Sequence, residues 1–484
     1  MSHRRTMRCF IFSVILSVLS TGVPQVWADT NRVLTTSEQA ASAFTLYTRL
    51  YPQETPAAGP SPHLPWEFPV DKQEVWSKRV ERPSDHASID VAFIEFEDNG
   101  SSKNPEQLQT ALALIDEARE SPNGAVVVVF THGWFHGKDW SDSHFASFRQ
   151  ILMHLAVREE ERAGAKRRVV GIYLGWKGGT GLVHQIPLLN LSTFGNRLRA
   201  AEHIGLGGAF QRAISRIVES TKRPTLDDRM NPLVVVGHSM GALMTEVALL
   251  QLLRDDGFPE VYIVGGDRAG QRILFPDLFL LLNLAADSKI AEAIRAELRK
   301  RPVAPHRRKT PYQAPLFISA TSEADWATKY AYRLGKWGRV TDGNSDALVT
   351  HQLMREPNGA YCPPKPGTDF GQPWHCLREP SIKPDNKRMN SVAIDLPQRN
   401  DPRSHCHLRY HLAARLQHYE VDPFWFFKMP IDISAGHNDI FNERGSLLTM
   451  ALMQVSGAIM SLSENYEENF EGKGEAECPL PKLP

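Results

Sequence analysis

One serine interrupts an otherwise buried-type strand in the stretch NPLVVVGHSMGALM, residues 231–244. The run LVVV is typical of a strand covered on both faces, and a helical pattern follows the sequence GHSMG. This pentapeptide has the form G-x-S-x-G, in which Ser239 occupies a tight turn at the start of a helix. Gly237 and Gly241 would remove side chains that clash in such a turn. The stretch therefore predicts a nucleophilic serine at the end of a buried strand.

Runs that are apolar throughout alternate with helical patterns over most of the chain. The predicted strands include AVVVVF, RRVVGIYLGW, LFLLLNLA, APLFISA and, near the end, IDISA. Helical spacing marks PEQLQTALALIDEARE, FASFRQILMHLAVREEERAG and KIAEAIRAELRK, among others. This alternation predicts an α/β fold with a mostly parallel sheet and helices on both faces.

The sequence resembles the lipase and esterase branch of the α/β-hydrolase superfamily. Four motifs carry the resemblance, in chain order HGW, GHSMG, TSEADWAT and GHNDIFN, and it covers about residues 89–463. The resemblance implies an α/β-hydrolase fold and a catalytic triad in the order Ser, then Asp or Glu, then His. It also implies that the acid and the base lie downstream of Ser239.

Asp325 is the predicted acid. It lies a few residues after the strand APLFISA, which is where the family places this group. Glu323 is its near neighbour, and Asp287, after LFLLLNLAA, is the alternative, because some family members use the preceding strand.

His437 is the predicted base. It follows the short run IDISA and precedes the last helical pattern, again at the family's position. The chain has 18 histidines, so position in the triad order carries this prediction. His405, His407 and His411 are alternatives in the preceding insertion.

An acyl-transfer site also needs donors for a developing oxyanion. The strand AVVVVF ends in HGW, which resembles the family's oxyanion turn. The amides of Trp134 and Met240 are the predicted donors, and Gly133 would allow close backbone approach. His132 is predicted to bond the loop and not to act in the chemistry.

The predicted organisation has one catalytic domain with additions. Residues 1–28 resemble a signal peptide, with arginines, an apolar stretch and cleavage near Ala28, so the protein is expected to be exported to the periplasm or secreted. The other predicted regions are an N-terminal extension at 29–84, a hydrolase domain at 85–470, insertions at about 177–205 and 339–427, and a C-terminal tail at 471–484. The first insertion could be a lid or buried packing. The second could be a lid, a partner surface or a substrate cap.

Four cysteines remain after the signal peptide, and an exported protein favours disulfides. They are Cys362, Cys376, Cys406 and Cys478. A bridge between Cys362 and Cys376 is preferred because it would tie down the loop between them. No metal site is predicted, since no CxxC pair occurs and the His-rich HCHLRYH lacks a fourth ligand.

Composition gives no sign of a nucleic-acid partner, because Lys+Arg and Asp+Glu are equal at 55 each. The predicted function is hydrolysis of a carboxylic ester through an acyl-enzyme, without a cofactor, on a small-molecule or lipid substrate, with peripheral membrane contact left open. An acyltransferase would use the same triad, and a non-catalytic binding protein could share the fold. Acyl chain length and oligomeric state stay open. The aromatic run DPFWFF could line an acyl pocket or belong to the core.

Overall fold

The computed structural model of the chain places its described residues in one unit, which spans residues 46–484. The described residues are 77–81, 88–134, 136–137, 142–161, 166–178, 187–223, 231–263, 270–286, 288–301, 314–325, 349–361, 381–384, 391–397, 407–415 and 423–459.

The centre of the fold is an eight-stranded sheet in the order β1-β2-β4-β3-β5-β8-β9-β14. Seven strands are parallel, and β1 pairs antiparallel with β2 at one edge. The strands are β1 Ser77–Glu81, β2 Ser88–Phe96, β3 Ala125–Thr131, β4 Arg168–Trp176, β5 Leu233–His238, β8 Leu278–Leu282, β9 Phe317–Ser322 and β14 Phe424–Met429. The predicted α/β class with a mostly parallel sheet is confirmed.

Helices cover both faces of this sheet. They are α1 Pro105–Arg119, α2 Ser143–Glu161, α3 Pro187–Leu206, α4 Gly208–Lys222, α5 Met240–Arg254, α6 Ser288–Lys300 and α7 Glu443–Val455. Local signals set some of their ends. For example, the Asn104 side chain accepts the Glu106 amide at 3.0 Å before α1, and Pro105 occupies the first helical position.

The apolar side chains of each strand alternate between two cores. In β3, Val127 and Val129 pack with α1, α3, α4, α5 and α6, whereas Val128 and Phe130 pack with α2 and α7. This division follows the two-residue period of a strand. Because both faces are covered, almost every residue of the central strands is buried, and β5 ends inside the protein.

A second, antiparallel sheet forms within the predicted insertion at 339–427. Its strands are β10 His351–Tyr361, β11 Ser381–Pro384, β12 Ser391–Pro397 and β13 His407–Ala414. They lie in the order β10-β13-β12-β11. Residues of this sheet, such as Val392 and Ile394, share the core that contains α7. A bidentate ion pair between Arg409 and Asp395 joins β13 to β12 at 2.7 and 2.8 Å. The described part of the insertion therefore packs on one helical layer of the domain.

One prediction near the end of the chain needs correction, and one alternative left open there is decided. The run IDISA is not a strand, because residues 431–433 form a turn that follows β14. The last strand is the aromatic run itself, and its four aromatic residues Phe424–Phe427 are buried in the two cores. Aromatic side chains on both faces of a strand fill the two cores, so the aromatic run is core and not a pocket wall.

Besides β1, α3 and the second sheet, two further elements, a helix and a short hairpin, were not predicted from the sequence. Helix α4 has buried residues at helical spacing, including Phe210, Ile214 and Ile217, and this pattern could have revealed it. The second is a hairpin of β6 Glu260–Ile263 and β7 Gly270–Ile273, which has only four residues in each strand. Short strands give a weak periodic signal.

Several predictions lie outside the described residues: the signal peptide at 1–28, the extension up to residue 76, the four cysteines and the tail at 471–484. The first half of the predicted insertion at 177–205 is also largely outside them. Its second half is α3, whose Phe194, Leu198 and Ile204 are buried in the core, as expected for packing. Among the helices of the described residues, none is long and apolar enough to cross a bilayer.

Candidate active site

Ser239 lies between β5 and α5 in an unusual backbone conformation. Its φ is +57° and its ψ is −121°, a region that residues with a side chain rarely adopt. The amide of Ser239 donates to the Leu282 carbonyl of the neighbouring strand at 3.0 Å. The turn is therefore held by the sheet, and the strain is of the kind found at functional sites.

Close backbone contacts explain the glycines around this turn. A Cβ on Gly241 would lie 2.3 Å from the His132 carbonyl oxygen, and one on Gly237 would lie 2.6 Å from the Ala242 Cα. A Cβ on Gly133 would lie 2.9 Å from the Ser239 Cβ. The turn after β3 and the turn after β5 therefore pack against each other through glycines at the carboxyl edge of the sheet.

The structure brings Ser239, His437 and Asp325 together in one hydrogen-bonded line. The Ser239 Oγ lies 2.6 Å from His437 Nε2, and His437 Nδ1 lies 2.8 Å from Asp325 Oδ2. Because a carboxylate only accepts, Nδ1 carries the proton and Nε2 is free to accept from the serine hydroxyl. The Asp325 side chain is fully buried, while the His437 side chain is 17% exposed.

The alternative residues lie elsewhere or outside the described residues. Glu323 is exposed, and its amide pairs with the Met429 carbonyl. His411 lies in β13 of the second sheet, opposite Ala393 and Met354. Asp287, His405 and the side chain of His407 are not described.

The predicted oxyanion donors lie on the two turns beside Ser239. Met240 opens α5, and the first amides of a helix have no acceptor within the helix. Trp134 follows Gly133, and its ring packs edge-on against Phe194 of α3 at 4.9 Å. The amides of Met240 and Trp134 thus belong to the two segments that flank the serine.

His132 fixes the turn after β3. Its Nδ1 donates to the Gly133 carbonyl at 3.0 Å and its Nε2 accepts the Trp176 amide at 3.1 Å, while the Trp176 indole donates to the His132 carbonyl at 3.0 Å. Burial lowers the pKa of His132 to about 4, so the ring is neutral near pH 7. These contacts give His132 the loop-bonding position that the sequence predicts.

Two residues that the sequence did not single out hold the His437 backbone. The His437 carbonyl accepts from Asn283 Nδ2 at 2.6 Å and from His238 Nε2 at 3.0 Å. His238 is fully buried and its pKa is well below its usual value, first because of burial and then because of the neighbouring His437. A neutral His238 with its proton on Nε2 is therefore built into the site. Its place inside GHSMG was the only signal that could have revealed it.

The loop around His437 is closed by further side chains. Asp439 Oδ2 accepts the Ala435 amide at 2.7 Å and the Asn442 side-chain amide at 2.8 Å. Ser322, at the end of β9, donates its hydroxyl to the Ser434 carbonyl at 2.6 Å. The end of β9, which leads to Asp325, and the loop that contains His437 are thus joined directly.

This arrangement can move a proton from a serine hydroxyl to a histidine whose charge a buried carboxylate would stabilise. Among the described residues, no group of three His, Cys, Asp or Glu side chains is arranged to hold a metal ion.

No protein-family model matches the chain, and no curated protein sequence does. A crystal structure of an uncharacterized protein from Pseudomonas aeruginosa aligns with 77% of this chain at 10% identity and a TM-score of 0.27. The chain spans about half of that protein, with 53% of its length covered. So distant a likeness carries no argument about fold or function.

Proposed function

We propose that this chain is a serine hydrolase with an α/β-hydrolase fold that cleaves a carboxylic ester. The observation that carries the proposal is the Ser239–His437–Asp325 line, with separations of 2.6 and 2.8 Å. The nucleophile lies at a strained strand-to-helix turn, as the G-x-S-x-G motif requires, and the three groups occur in the order Ser, Asp, His.

The geometry supports a two-step reaction. His437 Nε2 takes the proton of Ser239 as Oγ attacks the ester carbonyl, and the amides of Met240 and Trp134 stabilise the oxyanion. His437 then gives the proton to the departing alcohol, which leaves an acyl group on Ser239. A water molecule, deprotonated by the same nitrogen, releases the acid and restores the serine. Asp325 keeps the proton on Nδ1 throughout.

The substrate class stays open within the esters. Transfer to an alcohol in place of water would use the same groups, so an acyltransferase is separated from a hydrolase only by adding alcohol acceptors to the assay.

The predicted export implies that the substrate is met outside the cytoplasm. N-terminal sequencing of the purified protein tests that prediction by showing whether cleavage occurs near Ala28.

A fluorophosphonate probe tests the proposal directly. An activated serine attacks the phosphorus and displaces fluoride, so labelling needs Ser239 and its base but no knowledge of the ester. Wild type is expected to label, and Ser239→Ala is expected to abolish labelling. His437→Ala is expected to slow labelling by about 1,000-fold or more.

Ser446→Ala is a matched control, because this half-buried serine of α7 lies outside the hydrogen-bonded line. It should label at the wild-type rate. Each variant's fold is checked by circular dichroism and thermal unfolding. A folded wild type that does not label would argue for a binding protein, and a rate unchanged in His437→Ala would assign the base elsewhere.

A further inference from the structure

Asn283 connects the end of β9, which leads to Asp325, with the loop that contains His437. It follows β8 and is fully buried. Its Oδ1 accepts the Ser322 amide at 2.8 Å, and its Nδ2 donates to the His437 carbonyl at 2.6 Å. Ser322 ends β9, three residues before Asp325. One side-chain amide therefore spans the two segments that must meet at the hydrogen bond between His437 and Asp325.

The backbone of Asn283 is also unusual. Its φ is +47°, in the left-handed region, and its amide donates to the Ala320 carbonyl at 2.9 Å. Asparagine tolerates this region better than most residues do. Of the three non-glycine residues with positive φ in the described part of the chain, Ser239 and Asn283 both belong to this site. Strain that the surroundings maintain is a mark of functional positions.

Hydrogen bonds hold the loop at this point, among them one from the Ser434 hydroxyl to the Gly436 carbonyl at 3.0 Å. A Cβ added to Gly436 would meet no atom within 4 Å, so side-chain packing does not hold the residue before His437. The His437 carbonyl is held by Asn283 and by His238, at 2.6 and 3.0 Å respectively. The shorter of these hydrogen bonds comes from Asn283, whose side chain also bonds to Ser322 at the end of β9.

We infer that Asn283 is a positioning residue that sets the His437 ring between Ser239 and Asp325, an inference that rests on the proposed function. The Asn283 side chain bonds to the backbone of His437 and of Ser322, and not to the Ser239 hydroxyl. It acts by fixing the backbone of the base relative to the strand end that leads to the acid. Loss of its donor would let the His437 loop shift, and a displacement of about 1 Å at a reacting group can cost on the order of 100-fold in rate.

Two variants separate this role from a purely structural one. Asn283→Gly removes the donor and tolerates the positive φ. Asn283→Asp keeps the size and the acceptor for the Ser322 amide, and its new carboxyl can donate to the His437 carbonyl only when protonated. Asn231→Asp is the matched control, because Asn231 is also buried and its Oδ1 accepts the Ala125 amide at 2.9 Å, before the start of β5.

The readouts are the fluorophosphonate labelling rate, thermal stability, and the proton resonance of His437 Nδ1–H, which reports its hydrogen bond to Asp325. Asn283→Gly is expected to label about 100-fold more slowly at every pH and to lose or shift this resonance. Asn283→Asp is expected to label slowly at pH 8.5 and to recover relative to wild type as pH falls. Taking the ratio to wild type at each pH removes the pH effects that the variant and the wild type share. Asn231→Asp should lower stability while leaving rate and resonance unchanged.

A folded Asn283→Gly that labels at the wild-type rate would overturn the positioning role. So would a labelling rate that falls in Asn231→Asp as much as in the Asn283 variants, since that would show a general loss of structure. If wild type itself does not label, the proposed function is wrong, and the Nδ1–H resonance then decides the positioning role alone. An unchanged resonance in both Asn283 variants would refute it.

Discussion

The proposed nucleophile and the proposed base are held by two different kinds of structure. Ser239 lies in a turn shaped by close backbone contacts, in which Gly237 and Gly241 leave no room for another atom. His437 lies in a loop held mainly by polar side chains from other segments, among them Asn283 and Ser322. The turn at Ser239, the elbow, is thus sensitive to added atoms, and the loop around His437, the base loop, is sensitive to the loss of hydrogen bonds.

His238 belongs to both regions. It is part of the elbow sequence, yet its ring donates to the carbonyl of His437 at 3.0 Å. Its ring also packs 4.8 Å from His144 and 5.4 Å from Phe441. The aromatic cluster of His144, His238 and Phe441 therefore links the turn at Ser239 to the base loop. Substitutions that act on one region only can show how far the two are independent.

The largest expected effect comes from removing the charge that orients the base. Asp325→Asn should lower the labelling rate by about 10,000-fold, equal to about 5.5 kcal/mol in the barrier, because an amide can donate to Nδ1 and thereby favour the wrong tautomer of His437. The rate is measured with the fluorophosphonate under pseudo-first-order conditions. Glu323→Gln is the control, since this exposed neighbour should have no effect. Equal losses in both variants would contradict the assignment of the acid.

An added methyl group should separate the two regions by their stability. Gly241→Ala is expected to destabilise the fold by about 3 kcal/mol or more, since the new Cβ would lie 2.3 Å from a backbone oxygen. Gly436→Ala in the base loop meets open space and should change stability by less than about 0.5 kcal/mol. Urea unfolding of both variants measures the difference. Similar losses in the two would show that the base loop is packed as tightly as the elbow.

Acid should weaken the fold through buried neutral histidines. Burial lowers the pKa of His132 to about 4 and that of His351 to about 3, and the pKa values of His144 and His238 are also lowered. In the unfolded chain these imidazoles bind protons near pH 6.5, whereas in the folded protein they do so only at lower pH. Their contribution to the unfolding free energy is therefore fully present above pH 6.5 and is lost as the pH falls.

His351 lies outside both regions, stacked on Trp425 at 4.6 Å, and can isolate its own share of this loss. His351→Phe keeps the stacking and removes one titrating group. Between pH 6 and pH 4.5, the unfolding free energy of this variant should fall by about 2 kcal/mol less than that of the wild type. Unfolding free energies over this range provide the test, and parallel pH curves for the two proteins would refute it.

The smallest expected effect is the loss of one hydrogen bond between acid strand and base loop. Ser322→Ala removes the hydroxyl that donates to the Ser434 carbonyl and accepts the Ala324 amide at 3.1 Å. We expect a loss of about 1 kcal/mol in stability and a labelling rate reduced less than in Asn283→Gly. Ser215→Ala, which removes a hydroxyl that donates to the Gly257 carbonyl at 2.5 Å, is the control. A Ser322 variant slower than Asn283→Gly would make the serine the main link.

The sequence predicted the parts of the fold and site that depend on local patterns. Strand β5 and the turn after it were readable because a buried strand, two glycines and a helix are contiguous. Asp325 and His437 were chosen by their order relative to Ser239, and the structure places both side chains in one hydrogen-bonded line with it. The last strand was predicted at IDISA, which follows the actual strand FWFFKM. The apolar side chains of FWFFKM fill two cores, and such a run can equally be interpreted as core packing outside a strand.

The meeting of distant segments was decided by the tertiary structure alone. Nothing in the run LFLLLNLAA shows that Asn283 contacts a histidine 154 residues further along the chain. The neutral state of His238 and His132 likewise depends on burial, which lowers the pKa of an imidazole only once both cores have formed. Neighbouring residues determine local motifs such as the turn at Ser239. Hydrogen bonds between distant segments, and the electrostatic surroundings of a side chain, form only after the parallel strands have brought their ends to one edge of the sheet.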